Sequence, residues 1–308
     1  MRYAIVDRHT TQEPIMPRFA ALPVLGLAAT ISISSLAGCE SLSPRVYDYR
    51  VMKVDHVPHS ALDIVTANGS IKAHQESREN VAVEVELFGR DAERLSFATV
   101  NADRLGDNSL RIWIDWPGGK RHGGEGAKIE VYIPDADGIS AKTSNGSVIL
   151  MGLAGEANID TSNGSIHIDN HQGPMNIDTS NGSVRVENSS GDIRFDTSNG
   201  RIIIDGADSL VEGDTSNGNV YVSTLDGAVG PVRVRTTNGR LELDLGHGFE
   251  GILRVSTSNG RIKTDGLVDA NLIESSNHTL ELQIGESDTI SAVRTSNGSV
   301  RIHGRSDD

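Results

Sequence analysis

The sequence predicts an all-β chain wound as a parallel β-solenoid (β-helix), with about 18 residues and two main strands per turn and a right-handed sense. Three observations carry this. The word Thr-Ser-Asn-Gly starts at Thr143, Thr161, Thr179, Thr197 and Thr215, each 18 residues after the last. Variants start at Thr236, Thr257, Ser275 and Thr295, after steps of 21, 21, 18 and 20, and an early outlier sits at Thr66. Each unit divides into two halves of nine, as in Gly182–Ser190 and Gly191–Asn199. Each half runs glycine, polar, apolar, polar, apolar, acid, then a polar turn. The chain is 37% hydrophobic but only 4% aromatic, which suits a slim aliphatic core between two sheets. A sandwich of antiparallel hairpins also places a turn every nine residues, and Asn-Gly is a hairpin signal. Only every second turn carries Asn-Gly, however, and two unlike corners per unit favour a coil.

Residues 1–38 read as a lipoprotein signal peptide, with Met16 as an alternative start. Arg18 precedes the apolar stretch Phe19–Ala37, which ends Leu36-Ala37-Gly38-Cys39. This resembles the lipobox of bacterial lipoproteins, and the resemblance implies a covalent lipid on Cys39. Cys39 is the only cysteine, so no disulfide competes for it. Two acyl chains anchor stably where one is marginal. Glu40 follows the cysteine, and by the enteric sorting pattern this places the protein at the outer membrane.

Residues 39–46 read as a tether. Residues 47–139 are β-rich but irregular, a cap on the solenoid. Val81, Val83 and Val85, then Ile112 and Ile114, then Ile129, Val131 and Ile133 alternate with other residues at the period of a strand with one buried face. Asp91–Ala98 reads as a short helix with Leu95 inward. The glycine-rich stretch Gly118–Gly124 lacks the spacing and the Lys-Ser/Thr pair of a phosphate loop. Residues 140–303 form the regular repeat, with inward pairs such as Ile166/Ile168, Met175/Ile177, Ile193/Phe195 and Ile202/Ile204. Residues 304–308 are a charged tail.

The word predicts a structural column at the corners: Asn145, Asn163, Asn181, Asn199, Asn217, Asn238, Asn259, Asn277 and Asn297. Asn and Gly tolerate the left-handed backbone of a tight corner. Stacked Asn amides hydrogen-bond along such a column. The period also aligns Asp160, Asp178, Asp196 and Asp214 in an acidic column, with Asp169, Glu187 and Asp205 on the other half. Neighbouring charges at strand spacing repel by roughly 0.9 kcal/mol in water. Calcium would relieve that repulsion, but the glycine-rich ligand loop of calcium β-rolls is missing. A solvated edge balanced by Arg185, Arg194 and Arg201 is the favoured reading.

The ten histidines are scattered. His167 and His171 have helical rather than strand spacing for a metal pair, and His56 and His59 lie near Asp55 and Asp63. No Ser/His/Asp set and no Gly-x-Ser-x-Gly elbow assembles. The exposed repeat positions His167, Asn176, Arg185, Arg194, Ile203, Glu212 and Tyr221 read as one mixed ladder. It is poor in the aromatics that sugar grooves use. The formal charge of −14 excludes a nucleic-acid partner.

Thr-Ser-Asn-Gly-Ser-Val, with an acid and a glycine between copies, resembles the putative-adhesin family of β-strand repeat proteins (domain of unknown function 4097). Thr66-Ala67-Asn68-Gly69-Ser70-Ile71 followed by Val81–Val85 resembles that family's opening strands. The resemblance spans about residues 47–303. It implies a β-helical envelope protein with no catalytic residues.

The expectation is a non-enzymatic, lipid-anchored envelope protein, with no cofactor beyond the lipid on Cys39. It presents a rigid solenoid for binding or adhesion, with a role in envelope stress as a variant of that reading. The partners are the membrane and an envelope protein or glycan, and an uncapped end would allow self-association. A polysaccharide-active β-helix enzyme and a calcium-stabilised surface repeat are the alternatives.

Overall fold

The structure is a computed structural model describing residues 44–304 apart from 229, 268 and 269. Cys39 and the segment before it, read above as a signal peptide, lie outside the described residues, as does most of the charged tail.

The amino-terminal part contains β1 (Val46–Asp55), β2 (Leu62–Val65), β3 (Ile71–Gln75), β4 (Asn80–Gly89), α1 (Ala92–Phe97), β5 (Thr99–Arg104), β6 (Leu110–Asp115) and β7 (Gly126–Ile133). The repeat supplies β8 (Asp137–Thr143), β9 (Val148–Met151), β10 (Ala154–Thr161), β11 (Ile166–Asp169), β12 (Met175–Thr179) and β13 (Val184–Glu187). It continues through β14 (Ile193–Asn199), β15 (Ile202–Ala207), β16 (Val211–Asn217), β17 (Val220–Thr224), β18 (Val232–Thr236) and β19 (Leu241–Leu245). The carboxy-terminal strands are β20 (Gly251–Thr257), β21 (Ile262–Asp265), β22 (Ala270–Ser275), β23 (Thr279–Ile284), β24 (Ile290–Thr295) and β25 (Val300–Gly304).

Twelve strands form one sheet, A, and thirteen the other, B. Most neighbours are parallel. Through the middle, each strand pairs with the strand one repeat on: Ile166 with Val184 in sheet A, Met175 with Ile193 in sheet B. Alternation then sends one side of every strand inward. Ile166, Ile168, Met175, Ile177, Ile202 and Ile204 are all buried in one continuous cluster. This is a β-solenoid-like fold. Among the described residues, antiparallel pairs occur only toward the two ends.

Chain order and spatial order part company at both ends. In sheet A the order runs β1-β4-β7-β3-β9 and, at the far end, β17-β19-β25-β21. In sheet B it runs β5-β6-β2-β8 and β16-β18-β24-β20-β23-β22. A rung is one strand from each sheet. The rung β2/β3 therefore lies between β6/β7 and β8/β9. The last rung in sequence, β24/β25, lies between β18/β19 and β20/β21. Ten rungs result, a stack about 45 Å tall at strand spacing.

The amino-terminal end is closed. Beyond β6/β7, sheet A adds antiparallel β4 and β1, and sheet B adds antiparallel β5. The helix α1 packs on β1 and β4. Its start is fixed by Asp91, whose side chain accepts from the Arg94 N–H at 3.1 Å, an N-cap bond. Its Leu95 is buried in the core. Arg50 on β1 donates to the carbonyls of Leu95 (2.8 Å) and Ala98, tying the edge strand to the helix.

The carboxy-terminal end differs. Ser275-Ser276-Asn277-His278, read above as a copy of the word, is the turn of the antiparallel hairpin β22–β23. Sheet B thus runs two strands past β20, while sheet A stops at β21.

Candidate functional site

The corner word is a four-part joint. Its threonine is buried in nine of the ten rungs; the β6/β7 rung has no copy of the word. The Thr143, Thr161, Thr179, Thr236, Thr295 and Thr257 hydroxyls each donate to a glycine carbonyl in the neighbouring rung, and Thr66 donates to the Ala127 carbonyl. This role was missed in the sequence, although threonine holds its place in the word as firmly as glycine does. Buried Thr197 and Thr215 have no such bond.

The asparagines form a directed chain. Asn145 Nδ2 donates to Asn68 Oδ1 at 2.7 Å. Asn163, Asn181, Asn199 and Asn217 follow, each at 2.9 Å, and Asn238 donates to Asn217 at 2.8 Å. Asn297 then donates to Asn238 at 2.8 Å, and Asn259 to Asn297 at 2.9 Å. Asn68 closes the chain on the Glu125 carbonyl. Two corrections follow. The outlier Asn68 belongs to the column, and Asn277 stands outside it. Asn277 is followed by His278 where every column member is followed by glycine.

That glycine has a different cause from the one expected. In the repeats it does not adopt left-handed backbone. A Cβ on Gly182 would overlap the Gly164 carbonyl oxygen, so the corners stack closer than any side chain allows. The left-handed residues stand at the opposite corner: Gly152, Asn170, Asn188 and Gly206, at φ of 72°, 55°, 49° and 79°. Asn181→Ala should remove two ladder bonds and lower stability by about 1–2 kcal/mol. A chemical melt indistinguishable from wild type would show that the exposed amides contribute nothing.

The outward face of sheet B carries a shallow groove of about 600 Å³. One row is Ser140, Asn158, Asn176, Arg194 and Glu212; the next is Lys142, Asp160, Asp178, Asp196 and Asp214. His167, Arg185, Ile203 and Tyr221 face out from sheet A instead. The single ladder read above is therefore two, one on each sheet. The tyrosine among them gives its hydroxyl to Asp244 at 2.8 Å, and burial together with that carboxylate pushes its pKa up to about 12.

The acidic column is flanked by Lys142, paired with Asp160, and at the other end by Arg235, in register with Asp214. Of the arginines expected to balance the acidic edge, Arg185 meets the column on the other sheet and Arg194 pairs outside the aspartate column. Arg185 pairs with Glu187, and Arg194 with Asp192 and Glu212. Partial burial, then the charges of Asp196 and Asp160, raise the Asp178 pKa. A raised carboxylate pKa means the folded state binds its proton more tightly, so stability is greatest below the ordinary Asp range and declines as pH rises through the folded value. Asp178→Asn should therefore melt higher than wild type at pH 7, with the gap closing toward pH 4. A gap that stays constant across that range would rule out ionisation of Asp178 as its origin. Among the described residues, no three His, Cys, Asp or Glu side chains converge as a metal site.

His167 and His171 are separated. His167 faces outward near Glu187, while His171 is 1% exposed with Nε2 2.9 Å from the Gly155 carbonyl, and burial pushes its pKa down. His56 and His59 both engage Asp135, not Asp55 or Asp63. No described helix is long and apolar enough to cross a membrane.

Residues 59–303 match the Toastrack domain family, DUF4097. The chain belongs to that family. Among solved structures, this Toastrack chain is similar to a putative adhesin from Bacteroides fragilis. The two share 17% identity over 84% of this chain and 97% of that one, with a TM-score of 0.47. A putative adhesin from Parabacteroides distasonis shares 10% identity over 83% and 97%, with a TM-score of 0.43. A putative lipid binding protein from Parabacteroides distasonis shares 12% identity over 83% and 96%, with a TM-score of 0.37. No curated protein matches this Toastrack chain.

Proposed function

We propose that this Toastrack protein is a non-enzymatic component of the bacterial envelope, held by lipid on Cys39, that presents a rigid right-handed solenoid to a partner. The observation that carries the reading is the corner joint. Buried threonines, a directed asparagine chain and glycines in backbone contact fix a long face whose outward side chains are free to vary. Such a body holds a surface in place rather than closing around a substrate. β1 starts at Val46, seven positions after Cys39, and the stretch between them is read as the tether. The sheet B groove, with four stacked aspartates and no outward aromatic, suits a basic segment of an envelope protein better than a neutral glycan.

Cys39→Ser tests the anchor. Wild type should take up an alkyne-tagged fatty acid and fractionate with membranes, whereas the variant should do neither. A variant that stays in the membrane fraction, or an unlabelled wild type, would remove the lipid from this reading.

A further inference from the structure

The two ends of the stack differ in one respect. At the amino-terminal end the ledge of sheet A is covered by α1, with Leu95 and Ala98 buried. At the other end sheet B overhangs by β23 and β22, and no described element covers it. Leu272 pairs with Leu282, which pairs with Leu253 of the core, so Leu272 lies on the core-facing side of the sheet. It is nevertheless 63% exposed, and neighbouring Ile273 is 55% exposed. Among the described residues two strand edges are unpaired at that end, β22 in sheet B and β21 in sheet A. Unpaired edges with apolar side chains are templates for another chain.

We propose that this end is the interface of a two-fold dimer, in which β22 of each copy pairs with β21 of the other. The shape argues for a second copy of the same chain. One sheet projects two strands and the other is recessed by the same two. A two-fold axis parallel to the strands, between the sheets, exchanges A with B. It sets each overhang into the partner's recess, an isologous contact in which both edges are satisfied at once. The strand directions agree. The corner between β20 and β21 reverses the chain, and β22 runs with β20 because two antiparallel pairings separate them. Rotation about an axis along the strands leaves their directions unchanged, so β22 meets the partner's β21 antiparallel.

The charges agree as well. Setting Leu272 opposite the partner's Thr264 places Asn271 opposite Asp265. Past the irregularity between Leu272 and Glu274, Glu274 falls opposite Lys263. Leu272 and Ile262 are covered in both copies. The inference does not depend on the lipid anchor.

Disulfide trapping tests it on the full chain in a Cys39→Ser background, purified in detergent. Lys263→Cys combined with Glu274→Cys should give covalent dimer in more than half of the chains on mild oxidation. Each single cysteine should give less than a tenth of that. Adding Leu272→Asp, at an exposed position where folding is not at stake, should cut trapping at least tenfold. Without cysteines, Lys263→Glu and Glu274→Lys should each weaken the dimer by sedimentation, and the double reversal should restore it. A cysteine pair that traps no more than the singles, or trapping indifferent to Leu272→Asp, would overturn the interface. So would a double reversal no tighter than either single change.

Discussion

Gly182→Ala should lower the unfolding free energy by at least about 3 kcal/mol, far more than a methyl group costs on an open surface. The new Cβ would overlap the Gly164 carbonyl oxygen, and its two nearest neighbours, that oxygen and its carbon, are backbone. Neither can rotate away as a side chain would. Relief requires the two rungs to separate, which strains the Asn181–Asn163 bond and the Thr179 hydroxyl bond to Gly164 together. Gly106→Ala is the matched control, because nothing lies within 4 Å of its added Cβ. That change should stay within about 0.5 kcal/mol. Urea titration of both variants, followed by circular dichroism, reads the difference, and equal losses would refute close stacking as the reason for the glycine.

Gly298→Ala should have an effect that chain order alone would not suggest. Gly298 lies in the last rung of the sequence, where fraying is the ordinary expectation. In space it sits between Gly239 and Gly260. A side chain there should loosen β24/β25 and, with it, everything stacked beyond: β20, β21 and the β22–β23 hairpin. Hydrogen exchange read by mass spectrometry should show both 251–284 and 290–304 losing protection by about a hundredfold, near 2.7 kcal/mol. Residues 148–224 should keep theirs, because contacts in a stacked repeat are nearest-neighbour. Protection lost from 290–304 alone would mean that the rungs follow the order of the chain.

The reason this order was not legible lies in the word itself. Thr236, Thr257 and Thr295 open corners with the same contact chemistry, so any of the three rungs fits on any other. Nothing local to Asn238 says whether Asn259 or Asn297 comes next; the answer lies in the long returns of the chain. The same holds for Asn68, whose distance from Asn145 hid that they touch. The hairpin at Asn277 was legible after all, since His278 cannot occupy a place where backbones meet. The winding and the aliphatic core were readable because two-residue alternation and an 18-residue period act locally and repeat. The groove was half readable. The period aligned four aspartates, but which cations flank them depends on which sheet each strand joins. That needs the register of Lys142 and Arg235.

Backtracking at both ends also restricts how this architecture can vary in length. A copy of 18 residues spliced between β9 and β18 meets the same corner above and below, and it extends the stack by about 4.8 Å. A copy added at either terminus meets no such bed, because β1 is an antiparallel edge strand without the corner and β25 already lies between β19 and β21. Descendants of this chain would therefore grow or shrink from within, as a telescope does, while the segments that finish it stay the same in kind and change only in how far apart they stand.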